Sequence, residues 1–486
     1  MRRALVVAGL AAAVAVPAAA ASGAQQPNDP FLSRQWYVGR DHALDTFDAA
    51  KQLFSVRVAV IDSGIDARHP ELKDRVVKSK SFVGGSTTDT FGHGTFVAGE
   101  IAAIAGNGAG IAGLAPPARL LVAKVVRDDG SIPPKAEARA IRWAVGQRAR
   151  VINLSLGSTR DPGDSSVDGY SAVEKRAIEF AVRRGVLVVA AVGNGDDAPA
   201  KPWPFASYPA AFPHVLGVSA YGRSGNVPSF SNRDKQYVDL AAPGMDIFSL
   251  FPLSLTARFA GCNDQGYSSC GTSDFRHADG TSFASPQVTA AAALLFGEIP
   301  SVRPDQVSTM LKLSADDATP ANGCVDCTTG ADALSGFGRL DVDRALDALH
   351  YPTPAPDRFE PNDDAGAEAA IVAAPRTFTA TLDSYDDPND LYKIHLDRGQ
   401  RLAVVVRAGA NLDPTADAKL DPSLVLWKPG LTSLAGATSD LRARRSIHAP
   451  GVPERIRFRA GRAGWYYVQV KLAAPGLGAY RIKLAF

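Results

Sequence analysis

The sequence predicts an α/β protein, a parallel sheet covered by helices on both faces, followed by an all-β sandwich of jelly-roll type. Three observations carry this expectation. Short β-branched runs alternate with helical stretches from about Val56 to Leu349, the pattern of successive βαβ units. Beyond Tyr351-Pro352-Thr353-Pro354-Ala355-Pro356, a stiff extended linker by composition, the period changes to two and strands are separated by Gly, Asp and Pro turns. A chain of 486 residues is also too long for one ordinary domain.

Taken from its start, Met1-Arg2-Arg3 and the apolar run Ala4 to Val16 lead into an Ala-rich stretch with A-x-A-like cleavage options, so residues 1–24 read as a secretory signal. The run is too short to span a bilayer, and no later segment is apolar enough to do so. A formal net charge of +2 and the lack of a basic stripe argue against a nucleic-acid partner. The expected product is a secreted, extracellular monomer.

The chemistry lies in three segments. Ser55 to Ile61 reads as a buried strand, and Asp62 stands at its carboxyl end, where open α/β sheets place ligand sites. Gly92-His93-Gly94-Thr95 opens a helix, where the positive dipole end should lower the pKa of His93. Gly280-Thr281-Ser282-Phe283-Ala284-Ser285-Pro286 precedes a buried small-residue helix whose first turn should present Ser282, with the Ser282 N–H as an oxyanion donor. Each alone reads equally as a cap or turn residue. Together, a hydroxyl, an imidazole to take its proton and a carboxylate to orient the imidazole make an acyl-transfer set.

With these flanks and the order Asp, His, Ser, the chain resembles the subtilisin-like serine proteases over residues 28–350. The resemblance implies a subtilisin-like sheet and a serine endopeptidase with Asp62, His93 and Ser282 as its triad. It implies that Asn194, in Gly193-Asn194-Gly195 after the strand Val186 to Val192, is the second oxyanion donor. By itself Asn194-Gly195 is a plain turn dipeptide. It implies polypeptide substrates held between the Gly130-Ser131 region and Ser155-Leu156-Gly157, with Ala191, Gly193 and Ser207 completing the primary pocket. None of these is charged, so a large apolar side chain is expected before the scissile bond, unless Asp196 or Asp197 reaches the pocket. A structural Ca2+ is implied at Asp29, Glu71 and Asn107. Phe96 stands where the family usually has a second histidine. Asn28 to Trp36 resembles the family's mature start, which leaves no room for a propeptide after the signal.

The expected division is a signal over 1–24, a catalytic domain over 25–350, a linker and domain start over 351–375, and a sandwich over 376–486. Asp357 to Asp363 and Gly464 to Val468 resemble the pre-peptidase C-terminal domain of secreted proteases. Asp386-Asp387-Pro388-Asn389-Asp390 reads as a solvated turn in preference to a Ca2+ site. The four cysteines, Cys262, Cys270, Cys324 and Cys327, allow three disulfide connectivities. Short loops favour Cys262–Cys270 and Cys324–Cys327 over a four-cysteine zinc site, which suits neither export nor so wide a gap between pairs. The competing functional readings are a catalytically silent, peptide-binding scaffold and a lipase or esterase. The first has no need of an intact triad with Asn194, and the second lacks a G-x-S-x-G elbow.

Overall fold

In a computed structural model of the chain, Val56–Asp62 form β1, a strand whose side chains alternate between two cores. Val56, Val58 and Val60 pack with the helices His93–Ala102 and Ser285–Glu298, while Ala59 and Ile61 pack with the helices Pro134–Gly146 and Ala172–Val182. The structure describes residues 26–256, 267–268, 274–349, 356–384, 387–408, 420–435, 437–473 and 476–486. The expected signal, Cys262, Cys270, Asp386 and most of the linker at 351–356 lie outside these residues.

β1 is the pivot of a parallel seven-stranded sheet with β2 (Val76–Ser81), β3 (Ala118–Lys124), β4 (Val151–Leu154), β5 (Leu187–Ala191), β6 (Val215–Tyr221) and β7 (Leu240–Pro243). The order is β2-β3-β1-β4-β5-β6-β7, so the chain winds to one side of β1 and then to the other. The carboxyl end of β1 therefore opens at the crevice where the winding reverses, and Asp62 is its last residue. The helix Ser285–Glu298 is buried from Ser285 to Gly297; apolar and small residues all round let it run through the core. Phe96 is fully buried, with its ring 4.5 Å from that of Phe283, so the departure from the family pattern is a packing change.

Three short antiparallel strands, β8 (Ile247–Leu250), β9 (Tyr267–Ser268) and β10 (Phe275–Ala278), follow. The tail holds β11 (Ala370–Ile371), β12 (Arg376–Asp383), β13 (Asn389–Leu396), β14 (Arg401–Ala408), β15 (Pro422–Trp427), β16 (Arg442–Ser446), β17 (Glu454–Arg459), β18 (Gly464–Leu472) and β19 (Leu477–Ala485). They make a five-stranded sheet, β11-β13-β18-β15-β16, and a four-stranded sheet, β12-β19-β14-β17. Alternate residues such as Phe378, Ile394, Val404, Leu426, Val468 and Ile482 fill the space between them, as period-two patterning requires.

The tail and the seven-stranded unit meet across charged groups. Lys175 Nζ, on the helix Ala172–Val182, lies 3.2 Å from Asp364, 3.7 Å from Glu368 and against Glu179. His214 pairs with Asp363 at 2.7 Å, and Arg160 Nη2 donates to the Ala435 carbonyl at 3.0 Å. Cys324 and Cys327 are disulfide-bonded, as their short loop suggested.

Candidate active site

Asp62 is buried at the end of β1, and its Oδ1 accepts from the Ser63 N–H at 2.7 Å and from His93 Nδ1 at 2.8 Å. His93 can come this close because its neighbours are glycines. A Cβ on Gly94 would lie 2.2 Å from the Gly64 carbonyl oxygen and 3.2 Å from Asp62 Oδ1. Gly92 caps the helix at φ 92°, a conformation that only glycine adopts without strain.

A residue that sequence reasoning missed fixes this turn. Asp89 is fully buried; its Oδ1 accepts from the Phe91 and Gly92 N–H groups and the Ser63 hydroxyl, and its Oδ2 from both the N–H and the hydroxyl of Thr95. Ser63 Oγ in turn accepts from the Gly94 N–H. The signal was an Asp six residues before Thr95, too far for the ordinary capping box but close enough for a loop that doubles back on the helix start.

The His93 pKa departs from the sequence expectation. Burial pushes it down, but the Asp62 charge and hydrogen bond, with a contribution from Asp89, outweigh burial and raise it above the ordinary 6.5.

Ser282 lies in a single 3₁₀ turn, Thr281–Phe283, just before the buried helix and not within its first turn. Gly280 precedes it at φ 154° and ψ 153°. Asn194 anchors the turn: its Oδ1 accepts from both the N–H and the hydroxyl of Thr281 at 3.1 Å, which leaves the Asn194 amide as the donor end. The Ser282 hydroxyl donates to the Ser155 carbonyl at 3.1 Å.

These groups share a cleft of about 380 Å³. It is lined by Asp62, His93, Asn194 and Ser282, and by the expected Gly130, Ser155, Leu156, Gly157, Ala191, Gly193 and Ser207. Ser131 does not line it; its N–H and hydroxyl are turned back onto Asp129 in the exposed turn, and Ile132 stands at the wall instead. Phe91, Val126 and Thr159 also line the cleft, contributed by loops whose sequences carry no motif. Asp196 is paired with Lys201 on the surface, away from the lining.

Asp29, Glu71 and Asn107 are brought together. Asp29 accepts from the Gly106 and Asn107 N–H groups, and the Asn107 amide lies 3.4 Å from Glu71 Oε1. Burial pushes the Glu71 carboxyl up to about 7; the Asn107 hydrogen bond opposes this and the Asp29 charge adds to it. The oxygen donors and the desolvated carboxylate fit a hard cation. A second acidic group is denser. Glu360, Asp363 and Asp387 offer oxygens within 4.8 Å of one another, as do Asp357, Glu360 and Asp390. Glu360 Oε1, Asp363 Oδ1 and Asp387 Oδ1 are buried without hydrogen-bond partners. Burial, reinforced by the neighbouring carboxylates, pushes Glu360 up to about 11 and raises Asp387 and Asp390. The solvated turn expected at Asp387 and Asp390 is therefore corrected: both are buried, because the turn folds under the Glu360-Pro361-Asn362-Asp363 segment and not into solvent.

Residues 55–338 match the family model described as the Subtilase family. The chain is 36% identical over 273 residues to thermitase of Thermoactinomyces vulgaris, an alignment covering 55% of this chain and 85% of thermitase. It is 34% identical over 324 residues to the cell wall-associated protease of Bacillus subtilis, covering 63% of this chain but 32% of that longer protein. A solved protease structure from Pseudoalteromonas arctica superposes with a TM-score of 0.54 at 25% identity, covering 67% of this chain and all of that one.

Proposed function

Because the chain belongs to the subtilase family and is a serine endopeptidase of the subtilisin type, we propose that Asp62, His93 and Ser282 are its catalytic triad. The observation that supports this reading most is the Asp62–His93 hydrogen bond within the cleft that also holds Ser282 and Asn194.

In the proposed mechanism a polypeptide lies extended along Ser155-Leu156-Gly157, bound mainly through its backbone, with Gly130 and Ile132 opposite. The carbonyl of the residue before the scissile bond enters between the Ser282 N–H and the Asn194 amide. Ser282 Oγ leaves Ser155, gives its proton to His93 Nε2 and bonds to the carbonyl carbon. The resulting oxyanion takes both donors, and the Asp62 carboxylate holds Nδ1–H and stabilises the imidazolium. His93 then passes the proton to the leaving amine, and water hydrolyses the acyl-enzyme by the same steps in reverse roles. The uncharged walls formed by Val126, Ile132, Leu156 and Ala191 suit a large apolar side chain at the first position before the cut.

The proposal includes export through residues 1–24, a catalytic unit over 25–350 and a sandwich over 376–486. Among the described residues no helix is long and apolar enough to cross a membrane. It also places Ca2+ at Asp29, Glu71 and Asn107, and a further cation at Glu360, Asp363 and Asp387, where it would neutralise carboxylates that burial keeps from water. Ca2+ at either position supplies positive charge to the fold and takes no part in the reaction steps.

The test is Ser282→Ala. The variant should keep its circular dichroism, lose hydrolysis of a chromogenic peptide, and lose the covalent label that an organophosphonate leaves on the intact chain. Undiminished turnover by the folded variant would overturn the assignment.

A further inference from the structure

The outer face of the four-stranded tail sheet is dominated by positive charge, with Asp383 at the far end of β12 as the carboxylate among its described strand residues. On β17, Arg455, Arg457 and Arg459 are exposed while Glu454 and Ile456 are buried. Antiparallel register sets Arg459 opposite Arg401 on β14, and Arg407 of β14 opposite Arg481 on β19. Lys483 of β19 lies opposite Val405, the residue that also faces Arg455, so all these side chains share one face. None of these cations is in an ion pair among the described residues.

This array escaped the sequence reading, which found no basic stripe, because no run of consecutive residues is basic. Period-two alternation on three strands assembles it. The whole chain has a formal net charge of only +2, so the patch is a local concentration and not a consequence of bulk basicity. Its arrangement works against folding. Arg401 beside Arg459 and Arg407 beside Arg481 are like charges directly opposite across strands, an arrangement that destabilises a sheet.

We infer that this face is a docking surface for an acidic polysaccharide, a linear polymer bearing repeated carboxylate or sulfate groups. Charge complementarity selects a polyanion, and arginine's planar fork binds carboxylate and sulfate oxygens in pairs. The rest of the face narrows the choice. The residues between the cations are Ala403, Val405 and Ala485, and along the margin Thr377 and Thr379 of β12 stand opposite Lys483 and Arg481. Among the described residues the face therefore offers hydroxyls for sugar oxygens but no aromatic ring on which a base could stack, the usual platform for a single-stranded nucleic acid. Among the described residues the face is formed by strands alone, with no helix to enter a duplex groove.

The test measures binding of the full chain to polygalacturonate and to heparin, with neutral dextran, single-stranded DNA and phosphatidylglycerol vesicles as comparisons. Both acidic polysaccharides should bind in a salt-sensitive way and dextran should not. The variant Arg455→Ser/Arg457→Ser/Arg459→Ser should lose about tenfold or more in affinity, with a melting temperature equal to or above that of the parent because like charges are removed. The variant Arg183→Ser/Arg184→Ser, altered on an exposed part of the catalytic unit, should bind as the parent does. Equal binding by the triple variant, or tighter binding to DNA or to vesicles than to either polysaccharide, would overturn the proposal. Should the triple variant melt early, Arg401→Ser with Lys483→Ser repeats the test on two other strands.

Discussion

Ser155 and Ser282 hold each other through two hydrogen bonds: the Ser282 hydroxyl donates to the Ser155 carbonyl at 3.1 Å, and the Ser155 hydroxyl donates to the Ser282 carbonyl at 2.7 Å. The strand proposed to bind substrate thus also fixes the backbone of the proposed nucleophile. Ser155 Oγ further meets Ser285 Oγ at 2.8 Å and accepts from the Asn153 amide. Ser155→Ala should leave these buried groups unpartnered, lowering stability by about 1–3 kcal/mol. It should also lower kcat more than it raises KM, since the substrate is held by backbone. Thermal melting and steady-state kinetics check both; a variant with parental kcat would show that the pairing does not position Ser282.

The proposed base sets the acid limit of activity. Its pKa is raised above 6.5, so His93 is protonated, and unable to accept the serine proton, up to a pH above that value. The acid limb of kcat/KM should therefore lie above pH 6.5. The same shift stabilises the folded chain below the unfolded pKa, a contribution lost as pH rises through the folded one. Asp62→Asn removes the carboxylate that raises it, leaving burial to pull it down; kcat should fall by about 10⁴, and the remaining acid limb should move to lower pH. A limb that does not move would separate His93 from the profile.

Selectivity should follow the walls of the cleft. A peptide library should show cleavage after large apolar residues, each gaining ~25 cal/mol per Å² buried. Dominant cleavage after Arg or Lys would reveal a carboxylate facing the pocket.

Calcium should matter most at neutral pH. A Glu71 pKa near 7 in the fold, against 4.5 for the free side chain, means that the folded chain binds more protons across that interval. In chelator, stability should therefore fall as pH rises from about 4.5 to 7, and millimolar Ca2+ should cancel the fall. Melting curves that coincide with and without Ca2+ across this range would remove the site.

Deleting part of the seam should hurt more than deleting all of it. Lys175→Met leaves Asp364 and Glu368 buried without their cation, a loss of about 3–5 kcal/mol. A chain ending at Leu349 removes those carboxylates as well and leaves Lys175 with Glu179 on its own helix. The shortened chain should fold and cleave small peptides, with a smaller drop in melting temperature than the point variant. The reverse ranking would show that the sandwich supports the catalytic unit through more than this cluster.

The parallel sheet and the residues around the cleft were legible because each rests on local chemistry. β1 is a β-branched run ending in Asp62, and Gly92, Gly94 and Gly280 are residues that only glycine's conformations or size explain. What was not legible depends on chain segments far apart in sequence. The carboxylates of Asp62 and Asp89 outweigh burial at His93, Asp387 is drawn beneath Glu360, and Ile132 replaces Ser131 at the cleft wall. Each is decided by burial and by neighbours that no single segment announces.

With Asp62 as the proposed triad carboxylate, the two-sided packing of β1 ties correct folding to chemical competence. Asp62 falls on the same alternation as Val58 and Val60, the side chains that meet the His93 helix, while Ala59 and Ile61 serve the opposite core. A slip of one residue in the pairing of β1 with β3 would exchange the two sets and carry the carboxylate away from the imidazole. An enzyme capable of digesting its own unfolded copies is then armed only in molecules whose central strand is in register.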